Sequence, residues 1–138
     1  NIGRDRMFME EPPYGLRDER LRAQVSAAML SGDSAAAGLP GNPWHALAEM
    51  RALSNWTRRH LHQVTAPCLV MHAREDDVAS MGNAELVMSR VSGPKELVVL
   101  EDSYHMITID RERREVIRRS ARFFTGIGER SGVLKAVA

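Results

Sequence analysis

The stretch APCLVMHAREDDVAS, residues 66–80, joins an apolar run to a sudden cluster of acids. Residues 68–71 are Cys, Leu, Val and Met, and a short apolar run of this kind is typical of a buried β-strand. Glu75, Asp76 and Asp77 follow almost directly. A charge run in a loop usually serves solubility. A carboxylate just beyond a buried strand can instead act on a side chain elsewhere, so the neighbouring segments must be considered.

The segment after this stretch alternates between helix and strand. A helix is predicted over about residues 81–91, and the apolar ELVVL at 96–100 predicts a second strand. Asp110 is predicted to cap a last helix whose arginines face water. Its apolar residues are predicted to face the core, namely Val116, Ile117 and Phe124. The order strand, helix, strand, helix predicts an α/β fold with a right-handed parallel crossover.

Two parallel strands leave sheet edges that they cannot satisfy alone. We therefore expect the sheet to be completed either by an upstream half of the protein or by a second copy of this chain. The chain begins with Asn1 rather than Met, which leads us to expect a segment upstream. A homo-oligomer, most simply a dimer, is the alternative.

The segment before residue 63 has a different pattern. Apolar residues three to five apart predict amphipathic helices over residues 14–30 and 43–61. Gly, Ser and Pro between them, in SGDSAAAGLPGNP at 31–43, predict a loop. We therefore divide the chain into an all-helical segment, 1–62, and an α/β segment, 63–138.

Composition narrows the class of protein. A chain of 138 residues with 27% charged residues is ordinary for one globular domain. With 19 basic and 18 acidic residues, its net charge of +1 gives no sign of nucleic-acid binding. A single cysteine, Cys68, excludes an internal disulfide framework, and no apolar stretch is long enough for a membrane anchor. These features predict a cytoplasmic protein.

Two polar residues are expected to meet at one edge of the sheet. Asp76 follows the first predicted strand and His105 follows the second. Since the carboxyl ends of adjacent parallel strands lie together, the two loops are predicted to be neighbours. A carboxylate that holds the Nδ1 proton of a histidine makes the imidazole a general base. The sequence thus predicts an Asp-His pair that still requires a nucleophile.

The segments TAPCLVMHAREDDVAS (65–80) and KELVVLEDSYHMITID (95–110), with the helix that contains Phe123 and Phe124, resemble the C-terminal part of an α/β-hydrolase. The resemblance is greatest to the carboxylesterase and monoacylglycerol-lipase branch. It implies that Asp76 is the triad acid and His105 the triad base. It also implies that residues 1–62 are a helical lid, and that the parent enzyme hydrolyses small-molecule esters without a cofactor.

The expected nucleophile motif is absent from the sequence. The family places its serine in G-x-S-x-G between a strand and a helix, and this chain has no such string. The nearest, GDSAA at 32–36, contains Ser34, and the order Ser34, Asp76, His105 matches the family order. Because helix rather than strand is predicted before Ser34, a loop or capping serine is the preferred interpretation. Three hypotheses remain: a hydrolase half whose serine lies elsewhere, a non-catalytic dimerising module, and a small hydrolase that uses Ser34.

Other residues admit a functional and a structural interpretation. Trp44, Met50 and Met106 are predicted to contact substrate, and Trp56 and Met71 are further candidates for an acyl pocket. Core packing is the alternative for such residues at helical spacing. The pair His60 and His62 resembles half of a metal site, but no cysteine or acid follows at ligand spacing, so no metal is predicted.

Overall fold

The N-terminal part of the fold is mainly helical. The computed structural model describes residues 6–32 and 34–131. The helices of this part are α1 (Glu19–Leu30), α2 (Ser34–Ala37) and α3 (Trp44–His60), and α3 is followed by a 3-10 turn at Leu61–Gln63. Strands β1 (Met7–Met9) and β2 (Gly41–Pro43) pair in an antiparallel ribbon, with Met7 opposite Pro43.

This β-ribbon corrects the expectation that residues 1–62 are all helical. Strands of 3 residues are too short to produce a visible alternation of apolar and polar side chains. The ribbon instead depends on a close backbone approach, because a Cβ atom at Gly41 would lie 2.6 Å from the carbonyl oxygen of Phe8. Only tertiary contact reveals this requirement.

Helix α1 begins later than the periodicity predicts. Tyr14 and Gly15 have positive φ angles of 56° and 71°, which a right-handed helix does not tolerate. The helix starts after Asp18, whose carboxylate accepts the backbone N–H of Leu21 at 3.0 Å. Residues 14–18, here called the strap, therefore form a non-helical connection between the ribbon and α1.

The C-terminal part is the predicted parallel crossover unit. Strand β3 (Cys68–Ala73) leads into α4 (Met81–Arg90), strand β4 (Lys95–Leu100) and α5 (Arg113–Ser131). The strands β3 and β4 are parallel, in a register that pairs Cys68 with Lys95 and Ala73 with Leu100. The predicted α/β fold and its strand direction are confirmed.

The core lies between this sheet and α5. Val98, Leu100 and Val116 are buried together, and three partly buried residues pack against them, namely Leu69, Met71 and Ile107. By contrast, residues 68–72 of β3 are all only partly buried. Among the described residues β3 pairs only with β4, so one edge of each strand has no partner strand there.

Helix α5 contributes fewer core residues than predicted. Val116 is buried, but Ile117 is 64% exposed and Phe124 is 68% exposed. Adjacent residues lie about 100° apart around a helix, so Val116 and Ile117 cannot face the same surface. In the described ranges, 6–32 and 34–131, no helix has the length and apolar character needed to cross a membrane.

Candidate active site

Asp76 and His105 are in direct contact at the carboxyl edge of the parallel pair. Asp76 lies in the loop that follows β3, and His105 lies in the loop that follows β4. Nδ1 of His105 is 2.9 Å from Oδ2 of Asp76 and 3.1 Å from Oδ1. The predicted juxtaposition of the two loops is confirmed, and the separation is that of a formed hydrogen bond.

The Asp76 carboxylate is held in its ionised form. Its side chain is only 5% exposed, and its Oδ1 accepts the N–H groups of Val78 at 2.8 Å and Ala79 at 2.7 Å. Burial by itself raises the pKa of Asp76. The hydrogen bonds from the Ala79 N–H, from His105 and from the Val78 N–H outweigh it, so the pKa is lowered from its usual value. A charged Asp76 favours a proton on Nδ1 of His105 and leaves Nε2 as the basic nitrogen.

The His105 ring remains accessible to a reactant. Its side chain is 47% exposed, whereas that of Asp76 is 5% exposed. A buried acid behind a half-exposed imidazole is the arrangement that general-base catalysis requires, because the base must reach a proton on another group.

A second histidine flanks the acid. Nε2 of His72 lies 3.7 Å from Oδ2 of Asp76, and the His72 side chain is 12% exposed. Its Nδ1 is 2.8 Å from the carbonyl oxygen of Ala73, which can only accept, so Nδ1 donates the hydrogen bond there. At 3.7 Å the contact with Asp76 is too long for a hydrogen bond. This geometry indicates a structural role for His72, which lies near the end of β3.

The two acids beside Asp76 accept hydrogen bonds from different groups. These contacts explain why three acids follow a core strand. Asp77 accepts the backbone N–H of Gly15 at 2.9 Å and that of His105 at 3.4 Å. Glu75 accepts a hydrogen bond from the guanidinium of Arg17 at 2.8 Å. Sequence reasoning did not identify these contacts, because each depends on the position of the strap in space.

The loop of residues 101–112 between β4 and α5, here called the histidine loop, is held by a fully buried carboxylate. Asp110 has no exposed surface, and it accepts the backbone N–H of Tyr104 at 2.8 Å and those of Arg17 and Asp18 at 2.9 Å each. Burial opposes ionisation, but the hydrogen bonds from Arg17, Tyr104 and Asp18 outweigh it and lower the pKa of Asp110. Its carboxylate therefore joins the strap to the histidine loop, and α5 begins at Arg113 rather than directly after Asp110 as the predicted cap requires.

Glu112 provides a second carboxylate support in the same loop. Its Oε2 accepts the N–H of Asp102 at 2.8 Å and the hydroxyl of Ser103 at 3.0 Å. Ser103 is completely buried, and its Oγ accepts the Glu112 N–H at 3.2 Å. Reciprocal bonds of this kind fix the loop between β4 and α5 in one conformation.

A cleft of about 910 Å³ runs beside residues 74–80, the loop between β3 and α4 that is here called the acid loop. Its apolar lining includes Phe8, Leu47 and Met50, and it reaches Asp77 and Val78 of the acid loop. It is large enough for a small apolar ligand.

The other predicted pocket residues occupy different positions. Among the described residues Trp44 and Met106 do not line this cleft, although they are 51% and 40% exposed. Their assignment to substrate stays a prediction. Met71 packs against the core, which favours the structural interpretation for it. Trp56 is 54% exposed and its ring stacks on that of His60 with the centroids 4.1 Å apart, so it is not a core residue.

Ser34, the alternative nucleophile, is the first residue of α2. The element before it in the described chain is helix α1, which ends at Leu30. A nucleophile elbow needs a strand followed by a tight turn and a helix, and Ser34 does not have that setting.

His60 and His62, the pair that resembles half of a metal site, lie at the end of α3 and in the 3-10 turn that follows it. Nδ1 of His60 is 2.7 Å from the carbonyl oxygen of Trp56. Within residues 6–32 and 34–131, no three His, Cys, Asp or Glu side chains are grouped closely enough to hold a metal ion.

Comparison with known proteins places these features in a family. The family model described as serine aminopeptidase, S33, matches residues 21–112. The chain is 34% identical over 83 residues to a thermostable monoacylglycerol lipase from Bacillus sp. strain H-257, across 59% of this chain and 33% of the relative. It also resembles a solved structure from work on LipS and LipT, two metagenome-derived lipolytic enzymes. That match has a TM-score of 0.63 and 30% identity, and it covers 64% of this chain and 37% of the other. The chain thus spans about a third of the length of these relatives.

Proposed function

Because the chain belongs to the serine aminopeptidase S33 family of α/β-hydrolases, we propose that it supplies the acid and the base of a Ser-His-Asp triad in a carboxylic ester hydrolase. The observation that carries this proposal is the contact between Nδ1 of His105 and the Asp76 carboxylate at 2.9 Å. The relatives that are named for lipolytic activity support an ester as the substrate. Because the sequence has no G-x-S-x-G string, we further propose that the serine and the oxyanion hole lie on a segment outside these 138 residues.

The proposed reaction is acyl transfer in two steps. Nε2 of His105 takes the proton of the serine hydroxyl while the serine oxygen attacks the ester carbonyl. The histidine then gives that proton to the departing alcohol, which leaves an acyl-serine. Water attacks the acyl-serine as His105 takes its proton, and return of that proton to the serine oxygen releases the acid. Throughout, Asp76 holds the Nδ1 proton and stabilises the imidazolium.

Residues 1–62 are proposed to act as the lid over this site. The cleft is lined by Phe8, Leu47 and Met50 from this segment and by Val78 from the acid loop, two residues beyond Asp76. An apolar cleft that opens beside the acid loop suits an acyl chain. We propose that Met50 contacts the chain inside the cleft, and that Trp44 and Met106 contact substrate at its margins.

The half-exposed sheet is proposed to be covered in the native protein by the segment that carries the serine. Residues 68–72 are only partly buried, and parallel sheets are normally covered on both faces. When only these 138 residues are present, a second copy of the chain is the simplest way to cover the exposed sheet, which predicts a homodimer. We also propose that the hydrolase is cytoplasmic, which the low cysteine content of this chain suits.

The proposal is tested on the native gene product. Its mass should exceed that of this chain, and a fluorophosphonate probe should label one serine on the additional segment. Labelling should disappear when His105 is replaced by Ala, because the serine is then no longer activated. A native product with the mass of this chain and no labelled serine would overturn the proposal, and labelling of Ser34 would favour the small-hydrolase alternative.

A further inference from the structure

The carboxylate of Asp77 bridges two backbone segments that are distant in sequence. Its Oδ2 accepts the N–H of Gly15 in the strap at 2.9 Å. Its Oδ1 faces the N–H of His105 at 3.4 Å. Two consecutive acids thus hold the same histidine in two ways, since Asp76 contacts the ring and Asp77 contacts the backbone.

The strap lies directly against His105. The carbonyl oxygen of Gly15 accepts the N–H of Met106 at 2.8 Å. Gly15 has a φ of +71°, and a Cβ there would lie 3.0 Å from Cγ of Met106 and 3.1 Å from Cβ of His105. The close approach therefore requires glycine for both conformation and space.

Independent contacts hold the rest of the strap in place. Leu16 is fully buried, and the N–H groups of Arg17 and Asp18 both bond to the buried Asp110. The Arg17 guanidinium lies 2.8 Å from Glu75 in the acid loop and 3.1 Å from Asp102 in the histidine loop. The strap is therefore a defined structure when Asp77 binds it.

We propose that Asp77 is a positioning residue for the catalytic base. By accepting from Gly15 and His105 together, its carboxylate fixes the backbone of the histidine loop so that Nδ1 of the ring faces Asp76. Without the Asp77 carboxylate, the backbone N–H of His105 loses its acceptor. The ring then adopts further orientations, in which Nδ1 no longer contacts Asp76. The importance of this role rests on the proposed function, in which His105 is the base.

The test is nuclear magnetic resonance on the 138-residue chain labelled with ¹⁵N. The wild-type ring of His105 should show its proton on Nδ1, with slow amide exchange at Gly15 and His105. Asp77→Ala should mix the two tautomers and speed exchange of these two amides by roughly five- to tenfold, the factor expected for the loss of one hydrogen bond. Asp77→Asn, with a single acceptor oxygen, should release only one of the two amides.

A matched control separates positioning from stability. Val98→Ala removes core volume in β4 but no hydrogen bond of Asp77, and it should speed exchange globally without changing the His105 tautomer. If Asp77→Ala left the tautomer and both amides as in the wild type, the inference would be overturned. It would also be overturned if Val98→Ala mixed the tautomers to the same extent. If Asp77→Ala does not fold, the milder Asp77→Asn decides by the same two readouts.

The tautomer of His105 and the amide exchange rates can be measured without an ester substrate and without a nucleophile. A native gene product without esterase activity would therefore overturn the proposed function alone. An unchanged His105 ring in the Asp77 variants would overturn this inference alone.

Discussion

Nδ1 of His105 lies 2.9 Å from the Asp76 carboxylate, although 29 residues separate the two in sequence. The contact exists because β3 and β4 are parallel neighbours, so that the loops leaving their carboxyl ends meet. Asp76 contacts the ring of His105, and Asp77 accepts the backbone N–H of the same residue. Asp110 accepts the backbone N–H of Tyr104, the residue before it. This carboxylate network leads to the following predictions.

Acid should destabilise the chain through its buried carboxylates. The pKa values of Asp76 and Asp110 are lowered from the ordinary 3.8. A carboxyl whose pKa is lower in the folded state contributes stability that is complete above the unfolded pKa and is lost as the pH falls through the folded pKa. We expect a stability that is constant near neutral pH and falls below about pH 4, as measured by circular dichroism in urea at a series of pH values.

The Asp110→Asn variant should remove part of the dependence of stability on pH. Asparagine offers one acceptor oxygen to the N–H groups of Tyr104, Arg17 and Asp18, so we expect a loss of about 2–4 kcal/mol at pH 7. The loss should shrink as the pH falls through the acid range, because the wild type then loses its own carboxylate. Glu85→Gln, an exposed change on α4, is the control and should cost less. A loss that is independent of pH would show that the Asp110 charge does not stabilise the fold.

Gly15→Ala should destabilise the chain and disturb the histidine loop together. The new Cβ would sit at a φ of +71° against Met106 and His105, so the cost should exceed about 1 kcal/mol in the free energy of unfolding. Gly32→Ala is the matched control, because Gly32 has a similar φ of +80° but nothing within 4 Å of an added Cβ. Thermal unfolding compares the two. Equal costs would show that contact with the histidine loop adds nothing to backbone strain.

The isolated chain should associate. The sheet has unpaired edges within the described residues, and residues 68–72 keep apolar side chains partly exposed. Burial contributes roughly 25 cal/mol per Å², so even a few hundred Å² favours association by several kcal/mol. Light scattering at micromolar concentration should give a mass above 15.4 kDa. A single species of 15.4 kDa would show that the helices already cover the sheet sufficiently.

The isolated chain should also lack esterase turnover. Without an activated serine and an oxyanion hole, the Asp-His pair offers little beyond ordinary imidazole catalysis. Hydrolysis of p-nitrophenyl butyrate should match that of a control protein with exposed histidines, and Ser34→Ala should leave it unchanged. Turnover that disappears in Ser34→Ala would instead identify Ser34 as a nucleophile.

The parallel unit and the Asp-His pair were predictable because each depends on local signals and one topological rule. The apolar run at 68–71 and ELVVL at 96–100 mark two strands with a helix between them. The parallel direction of the two strands then brings Asp76 and His105 to the same edge without any knowledge of side-chain positions.

The supporting contacts were not predictable from the same signals. The β-ribbon has strands of 3 residues, below the length at which periodicity is visible. The contacts of Asp77 and Asp110 depend on where the strap crosses the two loops. That position depends on tertiary contacts, among them the burial of Leu16, and no local motif indicates it. Helix propensity near Tyr14 was overridden by the positive φ angles that this crossing requires.

The most direct test of the central claim is the kcat of the native gene product for p-nitrophenyl butyrate with the acid or the base removed. His105→Ala and Asp76→Asn should each lower kcat on the order of 10³- to 10⁴-fold with a nearly unchanged KM, because they remove proton transfer or its orientation rather than binding. Glu85→Gln, an exposed change on α4, should keep the wild-type rate. Wild-type kcat in either His105→Ala or Asp76→Asn would contradict the assignment of this pair as the base and acid of the hydrolase.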